Sequence, residues 1–147
     1  MSKTLRAWLA VGLWLVVIFA FSAMPGDTSG AQSGTLARLL AGVASGLFGE
    51  EAGRAMSSEG AEWLLRKAAH VTEYLILSVL LCRALRESGA RRIGLFAFAL
   101  AVLAAALDEG HQLLVPGRAG MPQDVLIDAL GAGMGALLHH IFHADVQ

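Results

Sequence analysis

The chain has 147 residues, of which 56% are hydrophobic and 16% are charged, and its formal net charge is -1. This composition, with a mean hydropathy of +0.61, excludes an ordinary soluble domain and indicates one integral membrane domain over residues 1–147. The near-neutral charge balance excludes nucleic acid as an electrostatic partner, and the single Cys82 excludes an internal disulfide.

Four apolar runs approach the roughly 20 residues needed to cross a hydrocarbon core of about 30 Å. They cover residues 5–24, 63–82, 93–112 and 125–142, and they predict an all-α fold, a bundle of four transmembrane helices. Lys3 and Arg6 precede the apolar stretch of residues 7–21, so the first run could be a cleaved secretory signal. We interpret it as a retained helix because bulky Phe21 stands where signal cleavage requires a small residue. Cys82 ends the second run and is expected to be a buried, unreactive thiol.

The longest connection, residues 25–61, lies between the first two runs. Its Gly-, Ser- and Thr-rich beginning, residues 26–34, predicts a loop. Apolar residues then recur on one helical face, namely Leu36, Leu39, Leu40, Val43 and Leu47. We predict an additional interfacial or re-entrant amphipathic helix between helices 1 and 2. A lid helix packed on the other helices is the alternative, because periodicity does not distinguish lipid from protein as the buried partner.

Basic residues near the ends of the runs predict the orientation. They lie at the beginning of the first run and between the second run and the third: Lys3, Arg6, Arg83, Arg86, Arg91 and Arg92. The positive-inside rule places these segments, and therefore both termini, in the cytoplasm. The polar residues described next are then expected to face the outer side.

Polar residues interrupt the second run at helical spacing. Lys67, His70, Glu73 and Tyr74 fall within an arc of about 120° on one helix and predict a single polar stripe facing other helices. A charge at membrane depth costs about 2.5 to 3.5 kcal/mol on insertion scales, so several together mark a candidate site. For Lys67 and Tyr74 the alternative is an interfacial role, by snorkelling and in an aromatic belt.

A second polar cluster, Asp108, Glu109, His111 and Gln112, ends the third run. Beyond it, Pro116 and Gly117 predict a turn that presents Arg118. The planar guanidinium suits a carboxylate or phosphate, so Arg118 is a candidate anion ligand. A structural ion pair with Asp108, Glu109 or Asp124 is the alternative.

The fourth run carries polar residues at its beginning and glycines further along. Pro122 suits the first helical turn, where Asp124 is favoured by the helix dipole, and Asp128 lies one turn deeper. Gly131 and Gly135 continue this face in a small-x-x-x-small pattern that favours close helix packing, including a contact between copies of the chain.

The candidate residues carry an excess of negative charge. The five acids are Glu73, Asp108, Glu109, Asp124 and Asp128. The two bases, Lys67 and Arg118, leave three excess negative charges if all seven groups are ionised. Protons on carboxyl groups, a protonated His70 or His111, a divalent cation or a cationic ligand could relieve this excess. No His-Glu-x-x-His motif or cofactor fingerprint is present, so we assign no metal and no cofactor from the sequence.

Four motifs, one on or after each run, resemble the VanZ-like family of small bacterial membrane proteins. They are Phe19-x-x-Ser22-x-x-Pro25, then Lys67-x-x-His70-x-x-Glu73-Tyr74-x-x-Leu77, then Glu109-x-x-Gln112 with Pro116-x-Arg118, and finally Asp124-x-x-x-Asp128-x-x-Gly131-x-x-x-Gly135. The chain departs from the family at Asp128, where Asn is common, and this departure adds a charge. The resemblance implies a place in the bacterial cytoplasmic membrane and cell envelope. The family's namesake is linked to lowered susceptibility to the lipidated glycopeptide teicoplanin, and no established reaction comes with it.

Three functions fit these expectations. The first is binding or moving an amphipathic, phosphate-bearing lipid or lipid-linked envelope precursor, with Arg118 and Lys67 at the headgroup and His70 and Glu73 handling protons. The second is an intramembrane enzyme acting on such a lipid, with Glu73 or His70 as general base and Arg118 stabilising negative charge. The third is a structural membrane subunit. The ligand-binding candidates are Lys67, His70, Glu73, Tyr74, Asp108, Glu109, Gln112, Arg118, Asp124 and Asp128.

Overall fold

The computed structural model describes residues 1–143, and these residues form six helices without a strand. The helices are α1 (Lys3–Ser22), α2 (Gly26–Phe48), α3 (Glu50–Met56), α4 (Glu59–Glu87), α5 (Ile93–Gln112) and α6 (Pro122–His143). Four of them, α1, α4, α5 and α6, are long and apolar enough to cross a membrane. The predicted all-α fold with four spanning helices is therefore confirmed.

Helix α5 shows how the four long helices distribute their side chains. Its inward stripe is built from alanines spaced by four residues, Ala97, Ala101 and Ala105, all fully buried. Leucines such as Leu95 and Leu103 cover the opposite face and are 59% and 56% exposed. Small residues inside permit close helix approach, and large apolar residues outside suit a lipid environment.

Helix α4 occupies the centre of the bundle. It contacts all the other helices and packs most extensively against α6. Ser58 caps its beginning by accepting a hydrogen bond from the backbone N–H of Ala61, and the helix extends beyond the predicted run of residues 63–82 at both ends. Cys82 is fully buried on this helix, as expected.

Helix α1 runs antiparallel to α4 and is held by side chains that reach across. Thr4 Oγ1 donates to the carbonyl of Glu87 at 2.9 Å, and the Trp8 indole donates to Ser88 Oγ at 3.0 Å. Further along, the Trp14 indole donates to the carbonyl of Glu73 at 2.9 Å. The beginning of α1 therefore lies beside the end of α4.

The predicted loop at residues 26–34 is wrong, because α2 begins at Gly26. The hydroxyl of Ser33 donates to the carbonyl four residues earlier at 3.0 Å, so it does not compete with the helical hydrogen bonds. Gly34 is buried, and a Cβ there would lie 3.2 Å from Glu62 Oε1 of α4. Packing of glycine against a neighbouring helix overrides the weak helix propensity of this stretch.

The apolar face predicted within α2 points away from the rest of the protein. Leu39, Val43 and Leu47 are 66%, 59% and 71% exposed, whereas Ala37 on the other side is buried. Such exposure is what an interfacial helix requires, and it argues against the alternative of a lid packed through its apolar face. After a turn at Gly49, whose φ is 93°, α3 folds back onto α2.

The glycines of α6 bring it against the backbone of α4. A Cβ at Gly131 would lie 2.2 Å from the carbonyl oxygen of Val71, and one at Gly135 would lie 2.5 Å from that of Leu75. The small-x-x-x-small face is thus occupied within one chain. A contact between copies through this face, as considered from the sequence, would require α4 and α6 to separate.

We therefore expect Gly131→Ala to destabilise the protein by about 1–3 kcal/mol, because the added methyl group meets a backbone carbonyl that cannot rotate away. The measurement is thermal unfolding of the purified protein in detergent. Gly133→Ala on the same helix is the matched control, since its Cβ would meet nothing closer than a Phe98 ring atom at 3.8 Å. Equal stability of the two variants would contradict the close α4–α6 contact.

Candidate functional site

The four polar residues of α4 face the inside of the bundle but meet different neighbours. His70 and Glu73 line a cavity, whereas Lys67 turns to α6 and forms an ion pair with Asp124. Tyr74 is fully buried, and its hydroxyl has no hydrogen-bond partner within residues 1–143. Lys67 and His70 therefore contact α6, Tyr74 is enclosed in the bundle, and His70 and Glu73 border the cavity.

The Lys67–Asp124 pair joins α4 to the first turn of α6. Lys67 Nζ donates to Asp124 Oδ1, and the two side chains are only 15% and 16% exposed. The same ammonium lies 5.8 Å from the ring centroid of Trp63. Asp124 also lies where the helix dipole favours negative charge. The ion pair thus adds a tertiary role to the local preference expected for Asp124.

His70 and Asp128 meet one turn further along the same interface. His70 Nδ1 lies 3.3 Å from Asp128 Oδ1, and Asp128 is fully buried. Neither Asp128 oxygen, nor His70 Nδ1, has a well-oriented hydrogen bond to another described residue. A carboxylate at this depth without donors is unfavourable unless a cation or a proton accompanies it.

The end of α5 contributes a small hydrogen-bonded network to the same region. Gln112 Nε2 donates to Asp108 Oδ2 at 3.1 Å and to Glu109 Oε1 at 3.4 Å. Glu109 Oε2 accepts from the backbone N–H of Met121 at 2.8 Å, which fixes the α5–α6 loop, residues 113–121, onto α5. His111 lies elsewhere, with its ring 6.0 Å from that of Phe19 in an edge-on arrangement.

Arg118 takes a role that differs from the structural ion pair considered from the sequence. Its Nε donates to the carbonyl of Met24 and its Nη2 to the carbonyl of Phe21, both at 3.1 Å. Within the part of the chain described, it forms no salt bridge with Asp108, Glu109 or Asp124. Because carbonyls at a helix end have no intrahelical donors, Arg118 completes the end of α1.

A backbone contact reinforces this attachment of the α5–α6 loop to the end of α1, called the closure below. The N–H of Gly26 donates to the carbonyl of Pro116 at 3.2 Å. A Cβ at Gly26 would lie 1.9 Å from the carbonyl oxygen of Gly117, whose own φ is 72°. Only glycine fits at Gly26, so the α1–α2 junction and the α5–α6 loop are held directly against each other.

A cavity of about 270 Å³ lies beneath this closure, between α1, α2, α4 and α5. Its lining is mixed, with charged residues from α4, α5 and the α5–α6 loop, hydroxyl and amide groups mainly from α1 and α2, and apolar side chains between them. The polar members are Ser22, Ser29, Gln32, Ser33, Arg66, His70, Glu73, Asp108, Gln112 and Arg118, and the apolar members are Ile18, Phe21, Leu36, Leu65 and Ala69.

Half of the predicted ligand-binding residues line this cavity. His70, Glu73, Asp108, Gln112 and Arg118 do so. The other five are not part of its lining: Lys67, Tyr74, Glu109, Asp124 and Asp128. The acids and histidine of three helices nevertheless come together in one polar cluster, defined here as the cavity lining and these five neighbours.

Arg66 was missed as a site residue by the sequence analysis. It belongs to none of the predicted polar clusters, although it precedes His70 by one helical turn and Glu73 by two. That spacing is the signal that could have found it. With Arg66 included, five acids oppose three bases and two excess negative charges remain. The polar side chains that α2 adds to the cavity were missed because residues 26–34 were expected to form a loop.

Two guanidinium groups thus face one cavity. Burial and the positive charge of Arg66 both lower the pKa of Arg118 from its ordinary value, although a guanidinium stays protonated at any physiological pH. Arg66 Nε is buried without a hydrogen bond, and neither arginine forms a salt bridge with an acid among residues 1–143. The two like charges would be stabilised by an anion between them.

Three side chains of the polar cluster have the chemistry and proximity to hold a metal ion. His70, Glu109 and Asp128 each offer one ligand atom, and these atoms lie within 4.8 Å of one another. Each of the three residues comes from a different helix, α4, α5 and α6.

We expect Lys67→Met to lower the free energy of unfolding by about 1–3 kcal/mol, because it leaves the largely buried Asp124 carboxylate without its cation. Adding Asp124→Asn to that variant should recover most of the loss. Thermal unfolding of the single and double variants in detergent measures the interaction energy.

The exposed pair of Arg54 and Glu50 provides the control for this cycle. Its side chains are 77% and 85% exposed, so Arg54→Met should change stability by less than about 0.5 kcal/mol. Additive effects of the Lys67 and Asp124 substitutions would contradict a stabilising pair.

Comparison with known proteins agrees with the family resemblance of the four motifs. The family model described as VanZ/LLP1 matches residues 7–143, nearly the whole chain. Comparisons with curated proteins and with solved structures found no match. The matched region includes the four long apolar helices and every residue of the polar cluster. This chain is therefore a member of the VanZ/LLP1 family.

Proposed function

We propose that this protein binds the phosphate-bearing headgroup of an amphipathic lipid, or of a lipid-linked envelope precursor, in the cavity between α1, α2, α4 and α5. The observation that carries the proposal is the presence of Arg66 and Arg118 on one cavity without a carboxylate partner among the described residues. Arg66 replaces Lys67 as the second cation expected at the headgroup, because Lys67 forms an ion pair with Asp124.

Phosphate suits this pair of cations better than a single carboxylate does. A guanidinium presents a planar fork of donors that matches phosphate oxygens, and two guanidiniums can each engage a different oxygen. Arg118 is held in place by the carbonyls of Phe21 and Met24, so its remaining donors are oriented before a ligand arrives. Such preorganisation reduces the entropy lost on binding.

The ligand is amphipathic in this proposal because some apolar side chains of the cavity lining reach the protein surface. Phe21 is one of them and is 47% exposed. Leu36 belongs both to the cavity lining and to the apolar face of α2, where it is 49% exposed. A lipid chain could follow this path while its headgroup remains beside the arginines.

Glu73 and Asp108 give the cavity a second polar character. They balance the two arginines in formal charge, so the cavity has no net positive charge that would attract small anions in general. The acids would repel a phosphate and accept hydrogen bonds from hydroxyl or amino groups. A headgroup with hydroxyl or amino groups next to its phosphate would therefore match both the acids and the arginines.

The orientation of the cavity belongs to the same proposal. Thr4 and Trp8 bond to Glu87 and Ser88, so the basic beginning of α1 lies at the same end of the bundle as the basic α4–α5 connection. The closure by Arg118 involves the other end of α1. The positive-inside rule then supports cytoplasmic termini and an outward-facing cavity in the bacterial cytoplasmic membrane.

Binding of farnesyl phosphate to the purified protein in detergent tests the proposal, with farnesol as the matched ligand that lacks only the phosphate. We expect tighter binding of the phosphate and a dissociation constant about 10–100-fold higher in Arg66→Gln, because charge-assisted hydrogen bonds contribute about 1.5–3 kcal/mol. Arg66 is the informative position because it makes no described hydrogen bond whose loss would disturb the fold.

Arg86→Gln is the control, since this exposed arginine lies at the opposite end of α4. It should bind farnesyl phosphate like the unaltered protein. Equal affinity for phosphate and alcohol, or unchanged binding by Arg66→Gln, would contradict the headgroup site and favour a structural subunit. Recovery of intact farnesyl phosphate is expected, and conversion to a product would favour the enzymatic alternative.

A link to glycopeptide susceptibility is the finer part of the proposal and rests on the resemblance to the family's namesake. Expression in a teicoplanin-susceptible bacterium should raise the teicoplanin concentration needed to stop growth, and Arg66→Gln should abolish the increase at equal protein level. A glycopeptide without an acyl chain serves as the comparison drug. An effect that persists in Arg66→Gln would separate drug susceptibility from the cavity.

A further inference from the structure

Asp128 is the least explained side chain in the bundle. It is fully buried on α6, and both of its carboxylate oxygens lack a hydrogen-bond donor within the described residues. Burial of an ionised carboxylate in these surroundings costs several kcal/mol unless a cation compensates. Across the α4–α6 interface it meets His70, whose Nδ1 lies 3.3 Å away and also lacks a well-oriented hydrogen bond.

Glu109 completes a group of three at this position. One ligand atom each of His70, Glu109 and Asp128 lies within 4.8 Å of the other two. Around a tetrahedral ion with bonds of about 2.1 Å, neighbouring ligand atoms are about 3.4 Å apart. The His70–Asp128 separation of 3.3 Å is close to this value, so small side-chain rotations would bring the third ligand into place.

We propose that His70, Glu109 and Asp128 bind a single divalent transition-metal ion, with Zn²⁺ as the best match. An imidazole nitrogen with two carboxylates is a donor set that zinc accepts, and a site with three protein ligands leaves a further position for water or a ligand oxygen. Because His70 also lines the cavity, that further position would lie close to it.

The charge balance of the polar cluster agrees with a divalent ion. Five acids and three bases leave two excess negative charges, as counted above, and one Zn²⁺ neutralises them. Glu109 is already oriented for ligation, since its carboxylate accepts from the Met121 N–H and from Gln112. Hydrogen bonds of this kind commonly hold metal-binding carboxylates in position.

Titration of Zn²⁺ into the full-length protein, purified in detergent without a polyhistidine tag and treated with a chelator, tests the site. We expect about one equivalent to bind and the thermal midpoint to rise with Zn²⁺ concentration. Asp128→Asn keeps the shape of the side chain and should raise the dissociation constant by about 100-fold or more, since loss of an orienting group alone costs 10–100-fold. Replacement of Zn²⁺ by Co²⁺ reports the coordination geometry through its visible spectrum.

Two further variants keep this test decisive. Glu109→Gln retains an oxygen for the Met121 N–H, so it should fold even where Asp128→Asn does not, and it should also bind Zn²⁺ weakly. His140→Ala combined with His143→Ala removes imidazoles near the end of the chain and should leave binding unchanged.

The outcomes are separable from those of the lipid proposal. Arg66→Gln should bind Zn²⁺ like the unaltered protein, whatever its affinity for farnesyl phosphate. The metal site is overturned if the unaltered protein takes up no Zn²⁺, if Asp128→Asn and Glu109→Gln bind it equally well, or if binding disappears in the His140 and His143 variant.

Discussion

The close backbone contact between α4 and α6 is the constraint on which the rest of the structure depends. In lipid, helices have no hydrophobic driving force to associate, so packing and polar contacts must hold such a bundle together. Gly131 and Gly135 bring α6 against the carbonyls of Val71 and Leu75. At that distance the side chains on either side can pair, and Asp128 comes within 3.3 Å of His70. Glycine packing on the second half of α6 therefore positions the polar side chains on its first half.

The three cations of the polar cluster differ in the groups that they contact. Lys67 reaches a largely buried carboxylate and is used by the fold. Arg118 completes the end of α1 through two carbonyls and still borders the cavity. Arg66 borders the cavity without a described hydrogen bond or salt bridge, so it is the cation most available to an incoming anion. Formal charge alone does not distinguish these three roles.

The two proposals use neighbouring parts of one polar cluster and share only His70. The proposed phosphate site lies where α2 and the α5–α6 loop meet, and the proposal rests on Arg66 and Arg118. The proposed metal site lies between α4, α5 and α6, and the proposal rests on the Asp128 carboxylate, which has no hydrogen-bond donor among the described residues. Acids and arginines thus lie close together in one apolar bundle, where an isolated charge would be costly.

The sequence by itself determined the all-α fold and the four apolar helices, because hydrophobic length and helical period are local properties. It also identified the acids and histidines, since charges in apolar runs are conspicuous. Only the tertiary structure decided that residues 26–34 are helical, that Lys67 belongs to Asp124 and that Arg66 belongs to the cavity. These outcomes depend on how far each helix is rotated about its axis and on which neighbour it meets. That rotation is set by the close contacts of Gly34, Gly131 and Gly135 with α4, which no pattern within a single helix specifies.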